Sequence, residues 1–233
     1  MYLKRRKDKE SGREYALRTL KENIISLELT PGSMVSENEL AAEMGISRTP
    51  VREALLELSR VKVVEIYPQR GIGISLVDYD LVDEAYFLRI TLETAVLKRC
   101  CLKSLSDRQK RDFEEILQLQ KLYAETESRK RLELDNRFHR LLFKTAGLPN
   151  LFPLMDSMTI HLDRVRTMHL KAFKEWYAVE EHRGIYDAVL SGNYDKAAKL
   201  LSGHIAHYKS DDAVIRSKYK KLIKDNDKKE NIS

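Results

Sequence analysis

The sequence has no apolar run near the ~18 residues that a membrane-spanning helix needs, which excludes a transmembrane protein. The charged start, Met1-Tyr2-Leu3-Lys4-Arg5-Arg6-Lys7, is not followed by the apolar stretch of a secretory signal. Cysteine is nearly absent. Cys100 and Cys101 are adjacent in a helical pattern, where a bridge between them would be strained, so both are expected as ordinary thiols and at least one as a small packed hydrophobe. With no disulfide framework, the expected home is the reducing cytoplasm. An interior excess of positive charge is also missing. The chain carries +6, but Lys4 to Lys7 and the basic stretch from Arg216 onward together exceed that total. Any reading as a nucleic-acid binder must therefore come from residue placement, not net charge.

What is present is enough for one large or two small domains: 233 residues, of which 42% are hydrophobic and 33% charged. Residues 1–14 are polar and expected to be frayed. From Tyr15 the apolar period is helical, with Leu17, Leu20, Ile24 and Ile25 on one face, until Thr30-Pro31-Gly32-Ser33 stops it. Ser36-Glu37-Asn38-Glu39 reads as a capping box opening a short helix that Gly45 ends. A further helix opens at Ser47-Arg48-Thr49-Pro50, capped by Ser47 or Thr49, with Val51, Leu55 and Leu58 as its packed stripe. Ser47, Arg48, Thr49 and Arg52 lie off that stripe near its start, where hydroxyls and guanidinium forks can meet phosphates and base edges. The period then changes from 3.6 to 2. Val64 and Ile66 alternate on one side of the turn Pro68-Gln69-Arg70-Gly71, and Ile72, Ile74 and Leu76 on the other. Arg70 and Gly71 sit at the tip of this hairpin, suited to an adjacent minor groove.

From Leu81 to about Tyr219 strands are lacking. The breaks imply about six helices, 81–103, 106–126, 130–146, 149–171, 176–191 and 194–219. Their short connections imply a compact antiparallel bundle. The fold class is therefore mainly α: an N-terminal winged helix-turn-helix over 1–75, a linker at 76–80, a helical bundle over 81–219, and a polar, disordered tail at 220–233.

The run Ser36-Glu37, Leu40-Ala41, Gly45, Ser47 through Leu55, and Pro68-Gln69-Arg70-Gly71 resembles the DNA-binding domain of the GntR family of bacterial transcription regulators. The resemblance implies that Arg48, Thr49, Arg52 and Gly71 touch DNA. One departure is Lys62, where the family usually has glycine before the first wing strand.

Asp135 and His139, at i and i+4, share a helix face. His182 opens a later helix, and His204 lies at the centre of the inward face of the last one, defined by Ala197, Leu200, Leu201 and Tyr208. An Asp with three inward histidines has the composition of a Zn²⁺, Ni²⁺ or Mn²⁺ site. The ordinary alternative is a satisfied core histidine at 139. His207 falls at the edge of the stripe and is expected outside the site; His161 and His169 share no stripe. Residues 81–215 also resemble the FadR-type effector domain (FCD) of this regulator family in its metal-binding form, which implies ligation by Asp135, His139, His182 and His204. Arg89 lies within the stripe of Val82, Ala85, Tyr86, Leu92 and Val96. Buried there it needs an anion, either Glu93 at i+4 or, as the resemblance implies, a carboxylate of a small organic acid effector.

These readings predict a homodimeric regulator, repressor or activator, that binds palindromic double-stranded DNA, controlled by an organic acid held at a metal site. Two alternatives are a regulator for which the metal itself is the signal and a metalloenzyme. The enzyme is disfavoured because the sequence offers no general base beside the ligands and because catalysis has no use for the first 75 residues.

Overall fold

The fold was taken from a computed structural model, which describes residues 1–225. Helix α1 (Gly12–Ile25) opens with a full capping box. The Glu14 amide donates to Ser11 Oγ at 3.1 Å, and the Ser11 amide donates to the Glu14 carboxylate at 2.7 Å. Ahead of it, residues expected to be frayed are tied down: Tyr2 and Asn23 exchange backbone–amide hydrogen bonds, and Arg18 grips Glu10.

Strand β1 (Met34–Val35) leads into α2 (Glu37–Met44). The capping box expected at Ser36 and Glu39 does not form. Ser36 Oγ accepts from the Asn38 amide instead, which satisfies one orphan donor without Glu39. Gly45 ends α2 in the left-handed conformation, φ 65°. Helix α3 (Arg48–Arg60) buries Val51, Ala54, Leu55 and Leu58. Ser47 is its N-cap by backbone position, although its hydroxyl makes no capping bond.

Strands β2 (Val64–Tyr67) and β3 (Gly71–Ile74) form the expected hairpin, Val64 opposite Ile74 and Tyr67 opposite Gly71. Strand β1 adds itself on the other side of β3, giving the order β1-β3-β2. The alternation read from β2 is incomplete: Val64 is buried, but Ile66 is exposed. A Cβ on Gly73 would come within 2.8 Å of the exposed Tyr67 ring, so the ring lies over this position only because glycine occupies it.

The rest is helical: α4 (Tyr79–Cys101), α5 (Asp107–Leu122), α6 (Ser128–Thr145), α7 (Leu151–Met158), α8 (Ile160–Ala172), α9 (Ala178–Leu190), α10 (Tyr194–Ser210) and α11 (Asp212–Lys218). Two expected helices are each split. The stretch 149–171 breaks between α7 and α8, where Ile160 is drawn into the apolar core of α1–α3 and the sheet. The stretch 194–219 breaks at Asp211, whose carboxylate accepts from His169 at 2.9 Å. The tail expected to be disordered from Lys220 begins ordered. Residues 220–222 make a 3₁₀ turn and Ile223 bridges Val77, with the Lys224 amide donating to Val77 O at 2.9 Å. Residues 226–233 lie outside the described residues.

Helix α8 runs from the N-terminal elements into the bundle. Close to its start, His161 Nε2 donates to the carbonyl of Val61, the C-cap of α3, at 2.8 Å. One turn on, the fully buried Arg164 donates to the carbonyl and hydroxyl of Ser75, just past β3. Among the described residues no helix is long and apolar enough to cross a membrane.

A four-residue donor cluster and an exposed helix end

Asp135 and His139 on α6, His182 on α9 and His204 on α10 meet inside the bundle. His139 and His182 are fully buried, and Asp135 is 3% exposed. His139 Nε2 lies 3.1 Å and His182 Nε2 3.2 Å from His204 Nε2. Asp135 reaches His139 and His204 at 3.3 Å and His182 at 3.7 Å. The Phe138 ring stacks on His182, with centroids 3.9 Å apart.

The opposite ring nitrogens settle what these contacts are. His139 Nδ1 meets Glu93 at 2.5 Å, and His204 Nδ1 meets Glu181 at 2.7 Å. His182 Nδ1 meets Gln120 Oε1 at 3.0 Å, and the amide nitrogen of Gln120 is committed to Leu134 O at 3.1 Å. All three partners are acceptors, so Nδ1 carries the proton in each ring and the Nε2 lone pairs converge. Converging lone pairs repel one another unless a cation lies between them. Donors bound at about 2.1 Å with angles of 90–110° stand roughly 2.9–3.4 Å apart, close to the separations found here. The cluster is therefore compatible with a metal site.

The carboxylates of Glu93, Asp135, Asp163 and Glu181 stand around the cluster, with the guanidiniums of Arg89 and Arg166 facing them. Burial raises the Asp135 carboxyl, but Arg166 and His139 hold it well below the usual carboxylate range. Burial and the neighbouring His204 push His182 far down, toward the neutral form that a ligand needs. His204 goes the other way: burial opposes its proton, and Asp135 and Glu181 outweigh burial.

Arg89 Nε donates to Glu93 at 2.7 Å, the pairing expected at i+4. Its Nη2 stands 3.7 Å from Asp135 and has no hydrogen-bond partner, though it is buried. A cavity of about 70 Å³ opens here, lined by Arg89, Asp135, Arg166, Trp176, Tyr177 and Tyr208. His207 stays outside the ligand cluster, paired with Glu181 at 2.6 Å; it lines the cavity, as does His169, which pairs with Asp211. Glu93 and Glu181 do lie beside the cluster, yet each is committed to a histidine Nδ1 and is not a free general base.

Sequence reasoning weighed Glu93 only as a partner of Arg89, and it missed Gln120 and Arg166 entirely. Arg166 donates to Asp135, to Asp163 at 2.7 Å and to Asn136 at 3.0 Å. No spacing announces Gln120 or Arg166, because α5 and α8 reach the cluster only by packing.

At the other end of the molecule Ser47, Arg48, Thr49 and Arg52 are all exposed at the start of α3. Arg48 is held by Glu37 of α2 at 2.5 Å. Arg70 is exposed at the hairpin turn, and Gly71 beside it is half-buried with φ 106°. A Cβ on Gly71 would stand 3.1 Å from Val35 O, so β1 as well as the backbone angle requires glycine there.

Comparison with known proteins gives two family matches. Residues 14–74 match the model for bacterial regulatory proteins of the gntR family, and residues 84–207 match the FCD domain. An uncharacterized HTH-type transcriptional regulator in an unstable DNA locus of Streptomyces ambofaciens is 34% identical, over 80% of this chain and 78% of its own. The gluconate operon transcriptional repressor of Bacillus subtilis is 27% identical, over 79% and 77%. Among solved structures, Escherichia coli McbR/YncC shares the fold with a TM-score of 0.75 at 19% identity, over 90% of this chain and 99% of that one.

Proposed function

The chain belongs to the GntR family of bacterial regulatory proteins, with an FCD domain following its winged helix; it is a transcription regulator, not an enzyme, and on that premise we propose how it works. Arg48, Thr49 and Arg52, with Ser47, contact a major groove, and Arg70 and Gly71 approach the neighbouring minor groove. Asp135, His139, His182 and His204 ligate a Zn²⁺, Ni²⁺ or Mn²⁺ ion, which supplies a Lewis-acidic anchor for a carboxylate. A small organic acid occupies the cavity beside it, with one carboxylate oxygen on Arg89 Nη2.

The observation that carries this reading is the convergence of three Nε2 lone pairs, each fixed by an acceptor on its own Nδ1. The unpartnered Arg89 nitrogen supports the acid, as does the name of the Bacillus subtilis relative, which ties that protein to a gluconate operon. Helix α8 offers the route to the DNA-binding end, because Arg166 holds Asp135 while Arg164 and His161 hold Ser75 and Val61. The acid shifts DNA affinity to the extent that it binds two placements of α8 differently. Two copies acting on a palindrome are supported by exposed apolar side chains on adjoining helices: Phe87 (71%) on α4, Leu154 (62%) and Met158 (57%) on α7.

The test measures metal content by elemental analysis and affinity for a duplex selected in vitro by the unaltered protein. His182→Ala with His204→Ala should lose the metal, and in the unaltered protein a panel of small carboxylic acids should shift DNA affinity only when metal is loaded. A shift with metal alone would make the metal the signal. Full metal retention by the double variant would overturn the ligand assignment.

A further inference from the structure

The basic run at the start of the sequence finds no use in the reading above, and the fold gives it a fixed place. Tyr2 is pinned to Asn23 by two hydrogen bonds of 2.7 and 2.9 Å, and Lys4 pairs with Glu22 at 3.1 Å. The Arg5 carbonyl accepts from Arg18 at 3.4 Å. The segment therefore runs antiparallel along α1, from its C-terminal half toward its start. There it reverses in a tight turn: the Glu10 amide donates to Lys7 O at 3.2 Å, the Lys7 amide donates to the Glu10 carboxylate at 3.0 Å, and Lys9 takes φ 64°.

That turn stands at the end of the domain where α3 begins. Gly12, two residues after it, packs against Pro50 in the first turn of α3, where a Cβ on Gly12 would be 3.4 Å from Pro50 Cβ. Arg13 reaches Glu57 of α3 at 2.5 Å. The side chains of Arg5, Arg6, Lys7 and Lys9 are exposed, and among the described residues none of them forms an ion pair. Arg18 engages both carboxylate oxygens of Glu10, at 2.7 and 2.8 Å, and the Glu10 carbonyl accepts from Arg6 Nε at 2.7 Å. Asp8 alone opposes four positive charges in this stretch.

A basic turn held on α1, at the end of that helix which packs against the start of a groove-reading helix, has the chemistry of a phosphate clamp. It carries charge without the geometry needed to read base edges. We infer that Arg5, Arg6, Lys7 and Lys9 form a DNA-backbone contact flanking the groove that α3 enters, engaging sugar–phosphate independently of sequence. This rests on the assignment of α3 as the DNA-reading helix.

Because such a contact is independent of sequence, a random duplex of about 30 base pairs is the probe, with affinity followed between about 50 and 200 mM salt. The triple variant Arg5→Gln, Lys7→Gln, Lys9→Asn keeps the backbone bonds of the turn, and asparagine tolerates the left-handed angle at position 9. The slope of log affinity against log salt should become shallower by about 2–3, near 0.9 for each phosphate no longer engaged. The single variant Lys7→Gln should lose about a third of that, and thermal unfolding checks that each variant remains folded. A control removing Lys103, Arg108 and Lys121 on the α4–α5 side should leave the slope unchanged. An unchanged slope in the triple variant, or an equal change in the control, overturns the inference. If Arg52→Ala leaves sequence preference intact in a protein that does bind DNA, the assignment of α3 fails instead, and the clamp with it.

Discussion

Lys62 shows what a single backbone angle can decide. It sits two residues past α3 at φ 60°, in the left-handed region, with its amide donating to Ser59 O at 3.0 Å. The resemblance expects glycine at this position, and the angle explains why. A side chain there costs roughly 1–2 kcal/mol in steric conflict. Glycine would relieve that conflict and give back about 0.4–1 kcal/mol through the greater freedom of the unfolded chain. Relief outweighs that entropic loss, so Lys62→Gly should raise stability by about 0.5–1 kcal/mol, seen as a higher urea midpoint with an unchanged slope. A lower midpoint would mean that the lysine side chain contributes packing beside the wing. The cysteines behave as their adjacency implies: both are free, and burial pushes the Cys100 thiol up to about 12. At this scale the donor cluster was half legible. The i,i+4 pair at 135 and 139 and the central place of His204 follow from helical geometry. The acceptors Gln120 and Glu181, which fix the tautomers, follow only from packing.

At the scale of elements, periodicity located every long helix and misjudged where two of them bend. Nothing in the residues around Thr159 is a helix breaker; α7 gives way to α8 because Ile160 enters a core contributed by α1–α3. Strand β1 escaped notice because two residues carry no period, yet it completes the sheet by pairing Met34 with Gly73 and Val35 with Ile72. Helix α3 is the element whose role is most exposed to experiment. Its apolar stripe is fully committed to the core, which leaves Arg52 free on the opposite face. Arg52→Ala should leave folding intact and weaken binding to an in vitro selected duplex by about 1–3 kcal/mol, the worth of one bidentate base contact. Binding to random duplex should change far less. Equal losses on both duplexes would make Arg52 a phosphate contact.

At the scale of the whole molecule, the joint between the DNA-binding end and the bundle runs through buried polar groups on α8. His161 is 3% exposed, and burial lowers its pKa to about 4, with the Val61 carbonyl pulling the other way. In an unfolded chain a histidine titrates near 6.5, so between about 6.5 and 4 the unfolded state binds more protons than the folded one. Stability from this residue is therefore full above about pH 6.5 and falls as pH drops toward 4, by up to about 3 kcal/mol. His161→Gln should flatten that part of the pH dependence, measured as the difference in urea midpoints between variant and unaltered protein at pH 7.5, 6 and 5. An identical pH profile would mean that the ring gains a proton without disturbing the joint. Arg164 and Lys21 reinforce the same joint, on Ser75 and on Asp156 at 2.5 Å.

The sequence by itself determined the mainly helical class, the winged helix-turn-helix with its hydroxyl- and arginine-bearing helix start, the shared face of Asp135 and His139, and the inward place of His204. These depend on local spacing, which the chain carries in its own periods. Tertiary structure alone decided three things. It brought His182 and His204 to the Asp135–His139 pair with Glu93, Gln120, Glu181 and Arg166 around them, it turned α8 into the bridge between the two ends, and it laid the basic residues 5–9 along α1. Each joins residues far apart in the chain, and such a meeting depends on which buried faces fit together, something no local pattern records.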